Sequence, residues 1–459
     1  MIADLKPYAE YKESGLAWLG RVPDHWETRP AFGAFVPNHE RNHGMKEKTV
    51  LSLSYGRIVV KPPEKLHGLV PESFETYQIV NPGYIVLRTT DLQNDHTSLR
   101  VGMVRDRGII TSAYLALRVV DGVIPEFGYQ SLNVWDTSKA IYGYGSGLRQ
   151  NLDFSHFKRM PVPVPPPEEQ AAIVRFLDWA NGRLERAIRA KRKVIALLTE
   201  QKQAIIHRAV TRGLDPSVPL KPSGIPWLGD IPQHWEVLRS KYVYREVDNR
   251  SATGEETHLS MSQKFGLIPS SQIEVKRLVS ESYAGAKLCE KGDLVLNRLK
   301  AHLGVFALAP ERGLVSPDYT VLRHARELED RFFEAIYRTP ACRVELRQRA
   351  KGIVQGFWRL YTDDFYDIRV PIPPVHEQKR IMVQLDIDLS GVNTAISRLE
   401  REIELLREYR TRLVADVVTG KLDVHEAAAR LPSEAAADTV EDDTNPSMDP
   451  EAADEQAAV

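Results

Sequence analysis

The sequence predicts an α+β protein. Two similar globular domains of mixed strands and helices are separated by two long antiparallel helices in a coiled coil, with an internal pseudo-two-fold repeat. Three observations predict it. The stretch from Glu168 to Arg212 has no proline, one glycine and apolar residues at helical spacing. The same stripe recurs near the C-terminus, and a tryptophan-rich motif recurs ahead of each globular part.

The stripe of the first helix runs through Ile173, Leu177, Ala180, Leu184, Ile188, Ile195, Leu198, Ile205 and Ala209. Shifted by 208, from Ile173 to Ile381, it continues through Leu385, Asp388, Val392, Ile396, Ile403, Leu406, Leu413 and Val417. Only Asp388 breaks the second copy, and Leu389 beside it can take its place. A helix of about 40 residues spans roughly 60 Å, more than one domain needs. Its cheapest partner is the other copy, packed at coiled-coil spacing. Lys191, Lys202 and Arg410 interrupt the seam. They either carry their charges to solvent at its edge or fix the register of the pair.

The chain therefore divides into a globular domain over residues 1–167, a helix over 168–212, a second globular domain over 213–375 and a second helix over 376–421. An acidic tail over 422–459 follows, expected to be disordered because it has little apolar surface to bury. From His425 onward ten acidic residues face one basic residue, a net of −9. The whole chain carries −1, which leaves +8 on residues 1–424. A basic body favours a polyanionic partner. With only Cys289 and Cys342, one chain builds no disulfide framework or cysteine metal site. The polar start and the lack of a long apolar run predict a cytoplasmic protein with no membrane contact.

Taken in order, each globular part opens on one motif. Ser14, Gly15, Trp18, Leu19, Gly20, Pro23, His25, Trp26 and Glu27 recur 209 residues later, from Ser223 to Glu236. Tryptophans punctuated by glycine and proline read as a loop that pins its rings on a neighbouring element. His25 and His234 have no catalytic partner in the local sequence and read as packed histidines. Strand-like strings follow in matched pairs: Leu51–Ser54 with Leu259–Ser262, Gly83–Arg88 with Gly292–Asn297, and Tyr114–Arg118 with Tyr319–Arg323. Between them the halves diverge, as LQNDHTSLRVG after Asp91 and RLKAHLG after Asn297. Divergent loops on a shared scaffold are where recognition usually sits. Each half then passes a glycine-bearing segment, YGYGSGLRQN or KGIVQGFWRLY, whose spacing is not that of a nucleotide-binding loop. A proline-rich extended strap leads into each helix, where proline and glutamate suit a helix start.

No (D/N)PP(Y/F), Walker A or HExxH string is present; Asn81-Pro82-Gly83-Tyr84 lacks the second proline. Pro317-Asp318 and Glu377-Gln378-Lys379 form a nuclease-like pair, but its second part falls on a helix start. The chain is therefore expected to be no enzyme.

The duplicated SGxxWLGxxPxHWE opening, the VPxPPxxEQ helix starts, VTRGLD and VTGKLD at the helix exits, and the KAHLG and SPDYTVLR strings together resemble the specificity subunit of type I restriction-modification systems. The resemblance runs to about Asp423; the acidic tail lies outside it. It implies two target recognition domains, each reading one half of a split double-stranded DNA site, with the helices as spacer. It also implies docking of two methyltransferase subunits and, with them, restriction subunits. No cofactor is expected in this chain, while the assembled complex would use S-adenosylmethionine, ATP and Mg. Candidate DNA-binding residues are Arg88, Arg149 and Gln150 in the first domain. In the second they are Asn297, Arg298, Lys300, His302, Gln355, Trp358 and Arg359. The competing reading is a pseudo-symmetric scaffold joining protein partners without DNA.

Overall fold

The computed structural model describes residues 5–16, 18–62, 73–90, 92, 99–144, 152–262, 265–272, 283–354 and 357–432. Two units divide it: Met1–Lys191 with Arg401–Glu441, and Arg192–Glu400 with Asp442–Val459. Each unit thus combines one strand-rich part with a segment of each long helix. Both parts are built to one plan.

In the first unit a four-stranded antiparallel sheet has the order Phe35–Pro37, Leu115–Val119, Ile85–Leu87, Val101–Met103. In the second the order is Tyr244–Val247, Tyr319–His324, Leu294–Asn297, Phe306–Leu308. The two lists match position for position. Two of the three paired strings, Gly83–Arg88 with Gly292–Asn297 and Tyr114–Arg118 with Tyr319–Arg323, supply strands of these sheets, whereas Leu51–Ser54 and Leu259–Ser262 belong to separate two-stranded hairpins. The strongly apolar segments Ile85–Leu87 and Leu294–Asn297 are each one of the two inner strands of their sheet and are buried throughout.

The tryptophan motif forms an identical hairpin in each unit. Tyr11–Glu13 pairs with Arg21–Pro23, and Leu220–Pro222 with Asp230–Pro232. Gly15 and Gly20 adopt φ of 79° and 70°, and Gly224 and Gly229 72° and 66°, left-handed values that favour glycine. Even the turn bonds repeat. The Leu16 N–H donates to Ser14 Oγ and the Ile225 N–H to Ser223 Oγ, both at 3.1 Å. Trp26 and Trp235 are fully buried, as the pinning role requires.

The proline straps are strands in their own right. Pro161–Val164 pairs with Glu27–Pro30, and Arg369–Ile372 with Glu236–Arg239, each a two-stranded antiparallel sheet. Proline is compatible with this because a two-stranded sheet has only edges.

The long helices span Pro167–Arg212 and Val375–Val418. They stop at Gly213 and near Gly420, at φ of 71° and 75°. In the first unit Ile173, Phe176, Leu177 and Ala180 share a buried cluster with Leu413, Val414 and Val417. Glu185 meets Arg410 at 3.2 Å, and Lys191 pairs with Glu402. Numbers rising on one segment meet falling numbers on the other, so the segments are antiparallel. In the second unit Ala209 and Val210 join Ile381, Met382, Leu385 and Leu389 in one core, and Lys202 Nζ donates to Asn393 Oδ1 at 2.8 Å. Leu389 does occupy the position that Asp388 leaves vacant. All three residues that interrupt the seam bond to the facing helix segment, which supports register fixing over simple exposure.

The expectation of disorder over residues 422–459 needs correction as far as Pro432, while residues 433–459 lie outside the described residues. Val424, Ala427, Ala428 and Leu431 are buried, and all but Leu431 join the cluster around Trp26 and Phe176. His425–Ala429 is helical. The Asp423 N–H donates to the Lys6 carbonyl at 2.7 Å in an isolated backbone bridge, and the Arg175 guanidinium donates to the Leu431 carbonyl at 2.8 Å. The net acidity of the segment hid these few apolar residues, which suffice to dock it. No helix among the described residues is long and apolar enough to cross a membrane.

Candidate nucleic-acid interface

The second unit gathers the described part of its candidate residues at one edge. The strand Leu294–Asn297 runs directly into a short 3-10 segment, Arg298–Leu303. Asn297 is nearly buried, and its Oδ1 accepts the N–H groups of Leu299 and Lys300 at 3.1 and 3.3 Å, which bends the chain out of the sheet. Arg298 donates Nε to the Asp318 carbonyl at 3.0 Å and Nη2 to the Pro317 carbonyl at 2.9 Å. Arg359 pairs with the Asp318 carboxylate. The two arginines thus clamp one turn from both sides.

Trp358 and Arg359 lie on a hairpin, Lys351–Val354 with Phe357–Arg359, which carries an irregularity between Gly352 and Val354. The Leu360 N–H donates to the Arg298 carbonyl at 3.0 Å, tying this hairpin to the 3-10 segment. The result is one continuous edge. Trp358 stays 41% exposed on it, and Lys300 sits where the backbone leaves helical geometry, at φ −116° and ψ 18°. The side chain of His302 and the whole of Gln355 lie outside the described residues.

In the first unit Arg88 occupies the corresponding place, just after Ile85–Leu87. Its N–H donates to the Arg100 carbonyl at 2.8 Å. Arg149 and Gln150 lie outside the described residues. Sequence reading missed the residue that organises this edge. Arg100, buried completely, donates Nη1 to the carbonyls of Arg88 and Thr90 at 3.3 and 2.8 Å and Nε to Tyr142 Oη at 3.0 Å. The Asp136 carboxylate accepts the Arg100 N–H at 2.6 Å. A buried cation is costly unless hydrogen-bonded, so this site fixes the Arg88–Thr90 backbone. The only sequence signal was an arginine at the end of a divergent loop just before an apolar strand.

The two histidines of the duplicated motif have partners that local sequence cannot show. His25 Nε2 meets Glu169 Oε2 at 2.8 Å, and His234 Nε2 meets Glu377 Oε2 at 2.8 Å. Glu169 also accepts Tyr8 Oη at 2.6 Å and Trp26 Nε1 at 2.9 Å. Burial and this bond to Glu169 push the Tyr8 hydroxyl pKa upward, so it stays a donor. The neighbouring glutamines repeat as well: Gln170 Nε2 donates to the Pro165 carbonyl and Gln378 Nε2 to the Pro373 carbonyl, both at 2.8 Å. The HWE and EQ strings thus form the joint between globular part and helix. Asp318 and Glu377, the nuclease-like pair, each hold a different structural partner.

The fold so defined is a duplicated α+β unit joined to long antiparallel helix segments and varied at one sheet edge. No family model matches the chain. Two curated proteins of Methanocaldococcus jannaschii are similar to it. The "Putative type I restriction enzyme MjaX specificity subunit" is 23% identical over 288 residues, covering 60% of this chain and 62% of that protein. The "Type I restriction enzyme MjaVIII specificity subunit" is 23% identical over 337 residues, covering 69% and 75%. The chain therefore spans less than two thirds of the first relative's length. A solved structure described as "Structural basis underlying complex assembly and conformational transition of the type I R-M system" contains a chain with a TM-score of 0.55 at 15% identity. The match covers 87% of this chain and 99% of that one, so the fold is shared. The resemblance carried by the sequence motifs is borne out: this chain is similar to type I restriction-modification specificity subunits.

Proposed function

We propose that the chain is the DNA specificity subunit of a type I restriction-modification system, without catalytic activity of its own. Each globular part reads one half of a bipartite duplex site, and the two long helices set the gap. The observation that carries this reading is a scaffold repeated down to individual hydrogen bonds that differs at one sheet edge. There the first unit presents Arg88 on a bed built by Arg100, and the second presents Lys300 and Trp358 on a bed clamped at Asp318. A shared frame with unlike edges suits two different half-sites.

In this reading Asn297, Arg298 and Arg359 shape the edge, while exposed side chains meet base edges and phosphates. Two methyltransferase subunits, and through them the restriction subunits, dock on the helices; the assembled complex would use S-adenosylmethionine, ATP and Mg. Leu405 and Tyr409, exposed on the second helix, supply apolar surface for a protein partner. The test is binding of the full chain to duplex DNA across a salt series. A slope of about −0.9 per phosphate contact in log K against log salt supports the reading. Absence of duplex binding at low salt favours the protein scaffold instead.

A further inference from the structure

Each unit carries a second hairpin packed beside its four-stranded sheet. Leu51–Ser54 pairs with Arg57–Val60, and Leu259–Ser262 with Gly266–Pro269. The tip of the first is Tyr55-Gly56, at φ of 47° and 76°. Two left-handed residues make the tight turn whose twist suits a hairpin, a position that normally selects asparagine followed by glycine. Tyrosine is a costly choice there. Packing does not repay the cost, because Tyr55 is 81% exposed. The second hairpin also presents an aromatic residue just before a left-handed glycine: Phe265, 67% exposed, precedes Gly266 at φ 74°. Its loop is one residue longer, yet the aromatic keeps its place.

Both tips are held against the strand that leads to the candidate edge. A Cβ on Gly56 would come within 3.1 Å of Leu99 Cβ and 3.6 Å of the Val101 carbonyl. Val101 pairs with Leu87, and the Arg100 carbonyl accepts the Arg88 N–H. A Cβ on Gly266 would come within 3.3 Å of Ala307 Cβ. Ala307 pairs with Val295, and the Val305 carbonyl accepts the Asn297 N–H at 3.2 Å. Each aromatic tip is therefore fixed one strand away from the point where its recognition segment leaves the sheet. Arg57 adjoins the first tip, and Lys264 precedes Phe265 in the sequence.

We propose that Tyr55 and Phe265 are paired DNA contacts, one per half-site, whose rings stack on bases at a distorted step of the duplex. A ring on a rigid turn suits stacking, since every base offers a π face. Wedging an apolar side chain at a base step opens such a face in duplex DNA. Arg57, beside the first tip, suits a flanking phosphate better than an apolar protein surface. This inference rests on the DNA-binding reading above.

The experiment measures affinity of the full chain for a mixed-sequence DNA duplex at low salt, together with Tm, for wild type, Tyr55→Ala, Phe265→Ala, Tyr55→Phe and Tyr55→Gly. Each alanine variant is expected to bind about tenfold more weakly, while Tyr55→Phe stays within about twofold of wild type. Tyr55→Gly separates contact from fold: glycine relieves the left-handed strain, so Tm is unchanged or higher while affinity falls as in the alanine variant. Wild-type binding matched by every variant would overturn the proposal while leaving the DNA reading intact. So would variants that bind DNA normally but lose a co-expressed methyltransferase subunit, which would make the tips protein contacts. A wild-type chain that does not bind the duplex would overturn both.

Discussion

His25 and Glu169 lie 144 residues apart in the chain and meet at 2.8 Å, and His234 and Glu377 repeat the contact at the same distance across 143 residues. Both glutamates stand in the first turn of a long helix, and both histidines in the motif that opens a globular part. The joint ties the start of each unit to its helix. It was copied with the unit.

The copies are unequal, which leads to a first prediction. Glu169 accepts three side-chain donors, whereas among the described residues Glu377 accepts His234 alone, and the buried Trp235 Nε1 has no hydrogen-bond partner. Glu169→Ala should destabilise its unit by about 3 kcal/mol and Glu377→Ala by about 1–2 kcal/mol, since hydrogen bonds to a carboxylate contribute more than neutral ones. Urea unfolding of the two variants checks the order.

A second prediction concerns the helix exits. A Cβ on Gly420 would lie 2.3 Å from Pro23 Cδ, with φ at 75°, whereas one on Gly213 would meet Glu377 Oε1 at 3.3 Å with φ at 71°. Gly420→Ala therefore adds a clash to left-handed strain and should cost about 3 kcal/mol or more; Gly213→Ala should cost about 1 kcal/mol. Thermal unfolding separates the two.

The seam between helix segments supplies a third. Arg410 and Glu185 are each about a third exposed, so Arg410→Ala should cost under about 1 kcal/mol. Glu185→Arg alone should be worse than the alanine variant because it places two guanidiniums together, and Arg410→Glu combined with it should restore stability. A double-mutant cycle reads the coupling directly.

A fourth follows from the docked C-terminal segment. Truncation after Lys421 removes Val424, Ala427 and Ala428 from the cluster around Trp26. Tm should fall by several degrees, and protease should cut the Tyr8 segment more readily, since it loses Asp423 as a bridging partner of Lys6.

Much of the fold was legible because duplication made each motif its own control. A match over Ser14–Glu27 and Ser223–Glu236 identifies a repeat whatever its shape, and the 208-residue shift of the apolar stripe delimits both helices. The pairing of HWE with EQ was not legible, because a hydrogen bond across more than 140 residues leaves no local pattern. Arg298 and Arg359 were candidate contacts for their residue type and their place on divergent segments, and their guanidiniums also hold the Pro317-Asp318 turn, a contact that local sequence could not show. Arg100 was hidden for the opposite reason: nothing nearby in sequence reveals that Asp136 and Tyr142 will surround it. The docking of Leu431 was masked by the acidic residues around it.

The central claim is that two units read two halves of one DNA site. Its most direct test is the map of methylated adenines in DNA from a host that carries the complete system, with the wild-type chain and with Trp358→Ala combined with Lys300→Ala. The account predicts a bipartite sequence with a fixed gap, of which the double variant relaxes or abolishes one half and leaves the other unchanged. An uninterrupted recognition sequence, or a variant that alters both halves together, would contradict it.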